Sequence, residues 1–127
     1  MSMALDTADA DAASVGFISA HGTATGAGDI AESHATSDVF GSGTPFASLK
    51  GFFGHTLGAC GAIEAWLSLE MMREGWFAPN HNLSTVDPEC ADLAYLTGNG
   101  ARLETDLIMS NNFAFGGINT SLVFRRL

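Results

Sequence analysis

The chain has 127 residues, of which 46% are hydrophobic and 15% charged, and 14 acidic against 5 basic side chains give a formal net charge of −9. This composition is atypical of a disordered chain, and the acidic charge argues against nucleic-acid binding. No apolar stretch reaches the roughly 20 residues that span a bilayer, and the acidic N-terminus is unlike a signal peptide. Cys60 and Cys90 form neither a disulfide framework nor a metal-binding spacing. We therefore expect one domain in the cytoplasm.

The first half of the chain predicts a strand, a helix and a second strand. Residues 1–13 are rich in Ala and Asp without periodicity, and we expect a disordered leader there, in part of artificial origin. Residues 14–20 form an apolar run typical of a buried strand. After a loop of small residues, Asp29 suits the start of a helix, which we expect to end after Phe40 at a glycine. Residues 45–49 predict a short strand.

The second half predicts a long helix followed by strands. The expected elements are a glycine-flanked loop at 51–55, a helix at 56–74, a loop at 79–89 and strands at 93–97, 106–111 and 118–125. A third glycine loop joins the last two strands. This order of strands and helices predicts a layered α/β domain.

The long helix carries a carboxylate within an apolar face. One stripe at 3.6-residue spacing contains Leu57, Cys60, Glu64, Leu67 and Met71. A buried carboxylate is costly unless a cation or donors meet it, so Glu64 predicts a partner, and Lys50 is the nearest basic residue in sequence. Alternatively, the stripe lies at an edge and Glu64 reaches water. Gly58 and Gly61 at the start of this helix favour the close approach of another backbone, although a weak helix start also explains them.

Two histidines lie at junctions between elements. His21 follows the first strand, and His55 lies between a glycine loop and the long helix. The ends of strands and the starts of helices are where α/β sheets carry ligands. With Lys50 nearby, His21 and His55 predict a site, although a single histidine is more often structural.

The third glycine loop, at 110–117, combines hydrogen-bond donors, aromatic residues and glycines. Such a loop could form half of an oxyanion hole, or it could be an ordinary bulged hairpin. The sequence contains no GxSxG elbow and no complete dinucleotide or phosphate-binding fingerprint. Cys60 points into the apolar stripe and Cys90 has no neighbouring base, so neither predicts a nucleophile. These residues indicate a site with bases and donors but without a nucleophile.

Three segments together resemble the signatures of one protein family. They are AHGTATGAGDIAE at 20–32, LKGFFGHTLGACGAIEA at 49–65 and SNNFAFGGIN at 110–119. On these motifs, residues 14–127 resemble the C-terminal domain of the β-ketoacyl-[acyl carrier protein] synthases, of the thiolase-like superfamily. The resemblance implies the C-terminal half of a layered α-β-α-β-α fold, with a mixed sheet covered by helices.

The resemblance implies a decarboxylative Claisen condensation in fatty-acid or polyketide-type synthesis. In the family, a cysteine of the N-terminal half holds an acyl chain, and malonyl-carrier protein loses CO₂ to give the attacking carbanion. His21 and His55 match the histidines that stabilise the enolate. Lys50 and Glu64 match the paired lysine and carboxylate. Phe115 matches a gating phenylalanine whose backbone N–H belongs to the oxyanion hole.

Further residues match positions that bind substrate. Thr23 and Thr25 match threonines that hydrogen-bond the pantetheine arm, and we expect Phe113 and Gly116 to line the substrate site. Ala114 stands where Gly is usual between two phenylalanines. Because its Cβ narrows backbone freedom, the resemblance implies stiffer gating or a different acyl selectivity.

A structural monovalent cation is the one cofactor that the resemblance implies. Glu32, Ser110 and Asn119 match positions that surround this cation in some members. Ser19 replaces a common Asn, which removes one expected contact.

The family's enzymes are considerably longer than this chain. The resemblance implies that the N-terminal half, the nucleophilic cysteine and most of a homodimer interface lie elsewhere, so we expect the chain to be inactive alone. The expected partners are the N-terminal half and an acyl carrier protein with phosphopantetheine-linked acyl and malonyl groups. Alternatives are a non-catalytic partner subunit resembling a chain-length factor, and an acyl-binding module.

Overall fold

A computed structural model describes residues 1–114 and 116–127. Its α-helices are α1 (Ser2–Thr7), α2 (Gly26–Phe40), α3 (Lys50–Phe53) and α4 (Cys60–Glu74), and single 3₁₀ turns span Ala12–Ser14 and Leu57–Ala59. The strands are β1 (Phe17–Ser19), β2 (Phe46–Ala47), β3 (Trp76–Phe77), β4 (Ala101–Arg102), β5 (Leu107–Phe113) and β6 (Asn119–Arg125). No helix in these two ranges is long and apolar enough to cross a membrane.

Four strands form a mixed sheet in the order β2-β1-β5-β6. The strands β2, β1 and β5 are parallel, and β6 is antiparallel to β5. Ser19 lies opposite Ser110, so the carboxyl end of β1 lies beside the second half of β5. Parallel strands bring the loops that follow them to one edge of a sheet, and His21 follows β1 at that edge.

The central strands β1 and β5 are buried on both faces of the sheet. One core cluster contains Ile18 and Met109, and the other contains Phe17 and Ile108. These are successive residues of β1 and β5, so the two-residue period sends neighbouring side chains to opposite faces. A parallel strand buried on both faces has a continuous apolar sequence, which explains why residues 14–20 show no alternation. Helix α4 packs against β5 and β1.

The N-terminal segment differs from the expectation of disorder. Helix α1 occupies Ser2–Thr7 and contacts β6, and Leu5 is buried in the first core cluster. Leu5 is the buried side chain that anchors this short helix, and Met1 and Ala4 pack against the same cluster. A six-residue helix with a single buried residue produces no detectable period in the sequence, so the expected disorder was wrong.

Other boundaries also differ. The expected loop at 51–55 contains most of the short helix α3, and α4 begins at Cys60 after a 3₁₀ turn. The expected strand at 93–97 is reduced to one parallel bridge between Tyr95 and Phe46. The antiparallel pair β3–β4 was not predicted. Elements of two to four residues are determined by tertiary contacts more than by local sequence.

Candidate active site

The two histidine rings lie against each other at the end of β1. The ring centroids of His21 and His55 are 5.4 Å apart, and the planes meet edge to face at 88°. The ring of Phe113, at the end of β5, lies 6.0 Å from that of His21. Three of the predicted site residues are thus brought together from three separate segments.

Lys50 is buried beside His21 at the start of α3. Its Nζ donates to Glu64 Oε1 at 2.5 Å and to the carbonyl oxygen of His21 at 2.5 Å, and it lies 3.4 Å from His21 Nδ1. Lysine has three N–H donors and no acceptor, so all three donors have a partner. Glu64 is 0% exposed. Lys50 is therefore the partner that the buried carboxylate on the apolar stripe predicts.

These contacts determine the tautomer of His21. Because Lys50 can only donate, Nδ1 of His21 accepts, and the proton of the neutral ring lies on Nε2. Burial, with smaller contributions from the charges of Lys50 and His55, lowers the pKa of His21 to about 4. The ring is therefore neutral near pH 7 and presents an N–H donor at Nε2.

His55 also presents an N–H donor at its Nε2 atom. Its Nδ1 accepts the backbone N–H of Leu57 at 3.1 Å, which leaves the ring proton on Nε2. Leu57 adopts a φ of 51°, a left-handed conformation that costs a non-glycine residue of order 1 kcal/mol. Backbone strain at Leu57 therefore accompanies the hydrogen bond that orients His55.

The loop that carries His21 is anchored by two carboxylates of α2. Glu32 accepts the N–H groups of His21 and Gly22 at 2.9 and 2.8 Å, and Asp29 accepts that of Thr23 at 3.1 Å. Burial raises the pKa of Glu32 to about 7, although these hydrogen bonds and Lys50 act in the other direction. Burial also raises the pKa of Asp29. Glu32 thus serves to hold the loop.

The two threonines of the loop lie just beyond His21. Their hydroxyl oxygens are 3.0 Å apart, and Thr25 is exposed while Thr23 is partly buried. Gly22 is required between the histidine and the threonines, since its φ is 34° and a Cβ would meet the side chain of Ser48. Thr23 and Thr25 therefore extend from the histidine site towards the surface.

The three residues expected around a cation do not converge. On β6, Asn119 pairs with Phe113, whereas Leu122 pairs with Ser110. Asn119 is therefore displaced from Ser110 by three residues along the strands, about 10 Å. Both oxygens of Glu32 are occupied by backbone donors. Within the described ranges, no three His, Cys, Asp or Glu side chains form a group that could hold a metal. Glu32, Ser110 and Asn119 therefore do not form one cation site in this structure.

The loop between β5 and β6 is described in part. Phe115 lies outside the described residues. Gly116 and Gly117 have φ values of 89° and 82°, and both are exposed. The N–H of Ala114 donates to the carbonyl of Ile118 at 3.0 Å. The loop therefore closes a hairpin, and Gly116 lies at its exposed tip.

The sequence did not identify Asn112 as part of the site. Its Nδ2 donates to Glu64 Oε2 at 2.7 Å. One feature of the sequence could have identified it. Asn112 is a polar residue two positions after Ser110, so both side chains lie on the same face of the predicted strand. Gly61 of α4 is in contact with this side chain, whereas Gly58 has open space. The expected close approach of another backbone is therefore wrong at both positions: Gly61 accommodates the side chain of Asn112, and Gly58 has open space.

A cleft of about 580 Å³ borders the histidine loop. It is lined by residues that include Thr25, Asp29, Glu32, Asn80 and His81, and it does not include the two site histidines. His55 is instead exposed on an open face. The two histidine rings therefore lie outside this cleft, whereas Thr25 and the two carboxylates that anchor the histidine loop line it.

A model of the β-ketoacyl synthase C-terminal domain matches residues 1–84, the segment that carries His21, Lys50, His55 and Glu64. The chain belongs to this family. This matched range includes residues 1–13, the segment for which the sequence predicted a disordered leader. The α/β fold expected of a ketosynthase is confirmed by solved structures.

Individual relatives cover almost the whole chain. The 3-oxoacyl-[acyl-carrier-protein] synthase 1 of Escherichia coli is 40% identical over 89% of this chain. A β-ketoacyl synthase structure from Burkholderia phymatum superposes with a TM-score of 0.98 at 54% identity over 100% of the chain. A ketosynthase in complex with its chain length factor, from Xenorhabdus doucetiae, gives 0.91 at 39% identity, also over 100%. The chain spans 28%, 31% and 32% of these proteins.

Proposed function

We propose that this chain supplies the decarboxylation machinery of a β-ketoacyl-[acyl carrier protein] synthase. The observation that carries this proposal is the pair of adjacent imidazoles, His21 and His55, each with Nδ1 hydrogen-bonded and Nε2 free to donate. Two neutral N–H donors suit an oxygen that gains negative charge during a reaction. The thioester carbonyl oxygen of a malonyl group is such an oxygen.

The proposed step breaks the bond between the malonyl carboxylate and the adjacent CH₂. CO₂ leaves, and the electron pair moves through the CH₂ carbon into the thioester, whose oxygen becomes an enolate. His21 and His55 donate hydrogen bonds to that oxygen. The enolate carbon then attacks an acyl thioester on a cysteine of the remaining enzyme, a C–C bond forms, and the cysteine thiolate leaves.

The neutral ring of His21 protects the carbanion. An imidazolium would give its proton to the enolate carbon and stop the condensation, whereas a neutral ring only donates a hydrogen bond. The low pKa of His21 keeps the ring neutral. Because Lys50 is paired with Glu64, the ion pair brings little net charge to the site. The arrangement favours stabilisation over protonation.

The other partners that we propose follow from the greater length of the relatives and from the exposed position of His55. We propose that the missing part of the enzyme supplies the cysteine, covers His55 and forms a homodimer in the cytoplasm, and that this chain is inactive alone. The pantetheine arm of the carrier protein reaches the histidines along Thr23 and Thr25. With a net charge of −9, this chain does not attract an acidic carrier, so a basic patch on the remaining part serves that purpose.

A non-catalytic partner subunit is the competing function. One structural relative contains a chain length factor, but a subunit that only shapes an acyl pocket has no need of His21, Lys50 and His55 in hydrogen-bonded order. An acyl-binding module would bind acyl-pantetheine without releasing CO₂. Both alternatives differ from the proposed enzyme in decarboxylation.

The test is malonyl decarboxylation by the full-length protein. His21→Ala and His55→Ala should each lower the rate of CO₂ release at least about tenfold, since each removes a donor to the enolate oxygen. His34→Ala is the control, because His34 is exposed on α2 and its ring hydrogen-bonds to the carbonyl of Glu89, away from the site. Undiminished CO₂ release in both site variants would exclude the catalytic function.

A further inference from the structure

Asn112 connects the sheet to the buried ion pair. Its Nδ2 donates to Glu64 Oε2 at 2.7 Å and to the carbonyl oxygen of Asn111 at 2.5 Å. Both partners are acceptors, so the NH₂ group faces them and Oδ1 faces away. Oδ1 lies against Gly61, where a Cβ would overlap it. The amide therefore fits between β5 and α4 in one orientation.

The two oxygens of Glu64 have different donors. Oε1 accepts from Lys50 and Oε2 accepts from Asn112. Because the carboxylate is fully buried, an oxygen that loses its donor finds no water to replace it without rearrangement. Rotation of the carboxylate would withdraw Oε1 from Lys50. Lys50 would then lose the contact that directs its other two N–H groups to His21.

We propose that Asn112 is a positioning residue for decarboxylation. By holding Glu64, it keeps Lys50 on the Nδ1 and the carbonyl oxygen of His21, and so it maintains the Nε2–H tautomer that faces the substrate. This inference rests on the proposed function. Asn112 acts through Glu64 and Lys50 and is not itself a catalytic residue.

Two variants of the full-length protein test the inference, because they should change the pH profile of the decarboxylation rate in opposite directions. Asn112→Leu removes the donor, so protonation of Glu64 becomes easier; kcat for malonyl decarboxylation should fall about tenfold with KM unchanged, and the acidic limb of the rate profile should move to higher pH. Asn112→Asp keeps the shape, and a proton shared by the two carboxylates replaces the lost donor. Its rate should approach that of the wild type at acidic pH and fall as the pH rises, when both carboxylates ionise and repel each other.

Thr120→Val is the matched control. Thr120 lies opposite Asn112 on β6, and its hydroxyl donates to the Asn112 backbone carbonyl at 3.3 Å and not to the Asn112 side chain. This variant should keep the wild-type rate and pH profile. Opposite shifts in the two Asn112 variants support positioning, whereas profiles that coincide with the wild type overturn it. A general loss of folding lowers the amount of active protein without moving either limb.

A crystal structure of full-length Asn112→Leu separates this inference from the proposed function. The Glu64 carboxylate should turn away from Lys50; an unchanged ion pair overturns the inference. If the wild-type protein releases no CO₂ from malonyl substrates, the proposed function fails, and the position of Glu64 in this structure still decides the role of Asn112.

Discussion

Glu32 holds the backbone of His21 through both of its carboxylate oxygens. Oε1 accepts the N–H of His21 at 2.9 Å, and Oε2 accepts that of Gly22 at 2.8 Å. On the other side, Lys50 donates to the carbonyl oxygen of His21 at 2.5 Å. The peptide groups on both sides of the histidine are therefore fixed by buried charged side chains. Burial raises the pKa of Glu32 to about 7 and lowers that of His21 to about 4, so the two residues give folding opposite pH dependences.

Glu32→Gln should change how stability depends on pH. Folded Glu32 binds a proton near pH 7 and the unfolded residue near 4.5, so between these values the folded state holds more protons and its stability falls as the pH rises. The variant loses this contribution, which leaves stability rising with pH between about 4.5 and 6.5. Urea unfolding of the full-length protein at a series of pH values measures it. The exposed Glu104→Gln serves as the control, and a persistent wild-type profile in Glu32→Gln would contradict the assignment.

His21→Ala should have the opposite effect. Unfolded His21 binds a proton near pH 6.5 and the folded residue only near 4, so the stability that the neutral folded ring contributes is lost as the pH falls through this range. Without it, the Glu32 contribution is unopposed, and stability falls more steeply as the pH rises from 4.5 to 6.5. The same unfolding series checks this. A slope equal to that of the wild type would show that His21 titrates alike in both states.

Lys50 and Glu64 should behave as a coupled pair in stability but not in catalysis. Lys50→Met strands a buried carboxylate, and Glu64→Leu strands a buried ammonium, so each should cost about 3–5 kcal/mol of unfolding free energy. The double variant removes both charges and should recover most of that loss. Decarboxylation should stay low in all three variants, because His21 loses the donor to its Nδ1 and carbonyl oxygen where Lys50 is replaced, and Lys50 loses the contact that directs it to His21 where Glu64 is replaced. Recovery of the rate together with stability would assign Lys50 a purely structural role.

Gly61→Ala and Gly58→Ala form a matched pair on the same chain segment. A Cβ at Gly61 overlaps Oδ1 of Asn112, whereas one at Gly58 meets open space. Gly61→Ala should therefore cost about 1–3 kcal/mol of unfolding free energy, and Gly58→Ala should be neutral or stabilise by up to about 1 kcal/mol. Denaturant midpoints of the two variants measure this. Equal effects would refute the close approach of β5 to Gly61.

The ion pair and the histidine site could be predicted because strong physical constraints act on single residues. A carboxylate within an apolar stripe requires a partner, which led from Glu64 to Lys50. The ends of neighbouring parallel strands meet at one edge, which placed His21 in a site. The layered α/β domain also followed from the order of apolar runs and glycine loops, whereas the mixed sheet was implied by the family resemblance. These features depend on burial and topology, which the local pattern records.

The remainder depends on contacts that a local pattern does not record. Leu5 is the one fully buried residue of α1, and one buried residue has no period. The hydrogen bonds of Asn112 to α4 and of Glu32 to the His21 backbone depend on how two elements pack, which the local sequence does not record. The family resemblance implied a different role for Glu32, as a residue beside a cation. The segment expected to form a strand at 93–97 pairs with β2 through a single bridge at Tyr95.

The isolated chain should self-associate through apolar surface that the longer enzyme covers. Trp66 is 61% exposed on α4, Leu57 is 75% exposed beside His55, and Ile118 is 68% exposed on the β5–β6 loop. Burying such side chains stabilises association by roughly 1.5–3 kcal/mol each, and contiguous exposed patches mark interaction surfaces. Trp66→Glu should lower the average mass in light scattering and reduce the binding of an apolar dye. Leu127→Glu adds the same charge at the C-terminal residue and should change neither signal. A monomeric wild-type chain that binds no dye would contradict the expectation that this surface requires a partner.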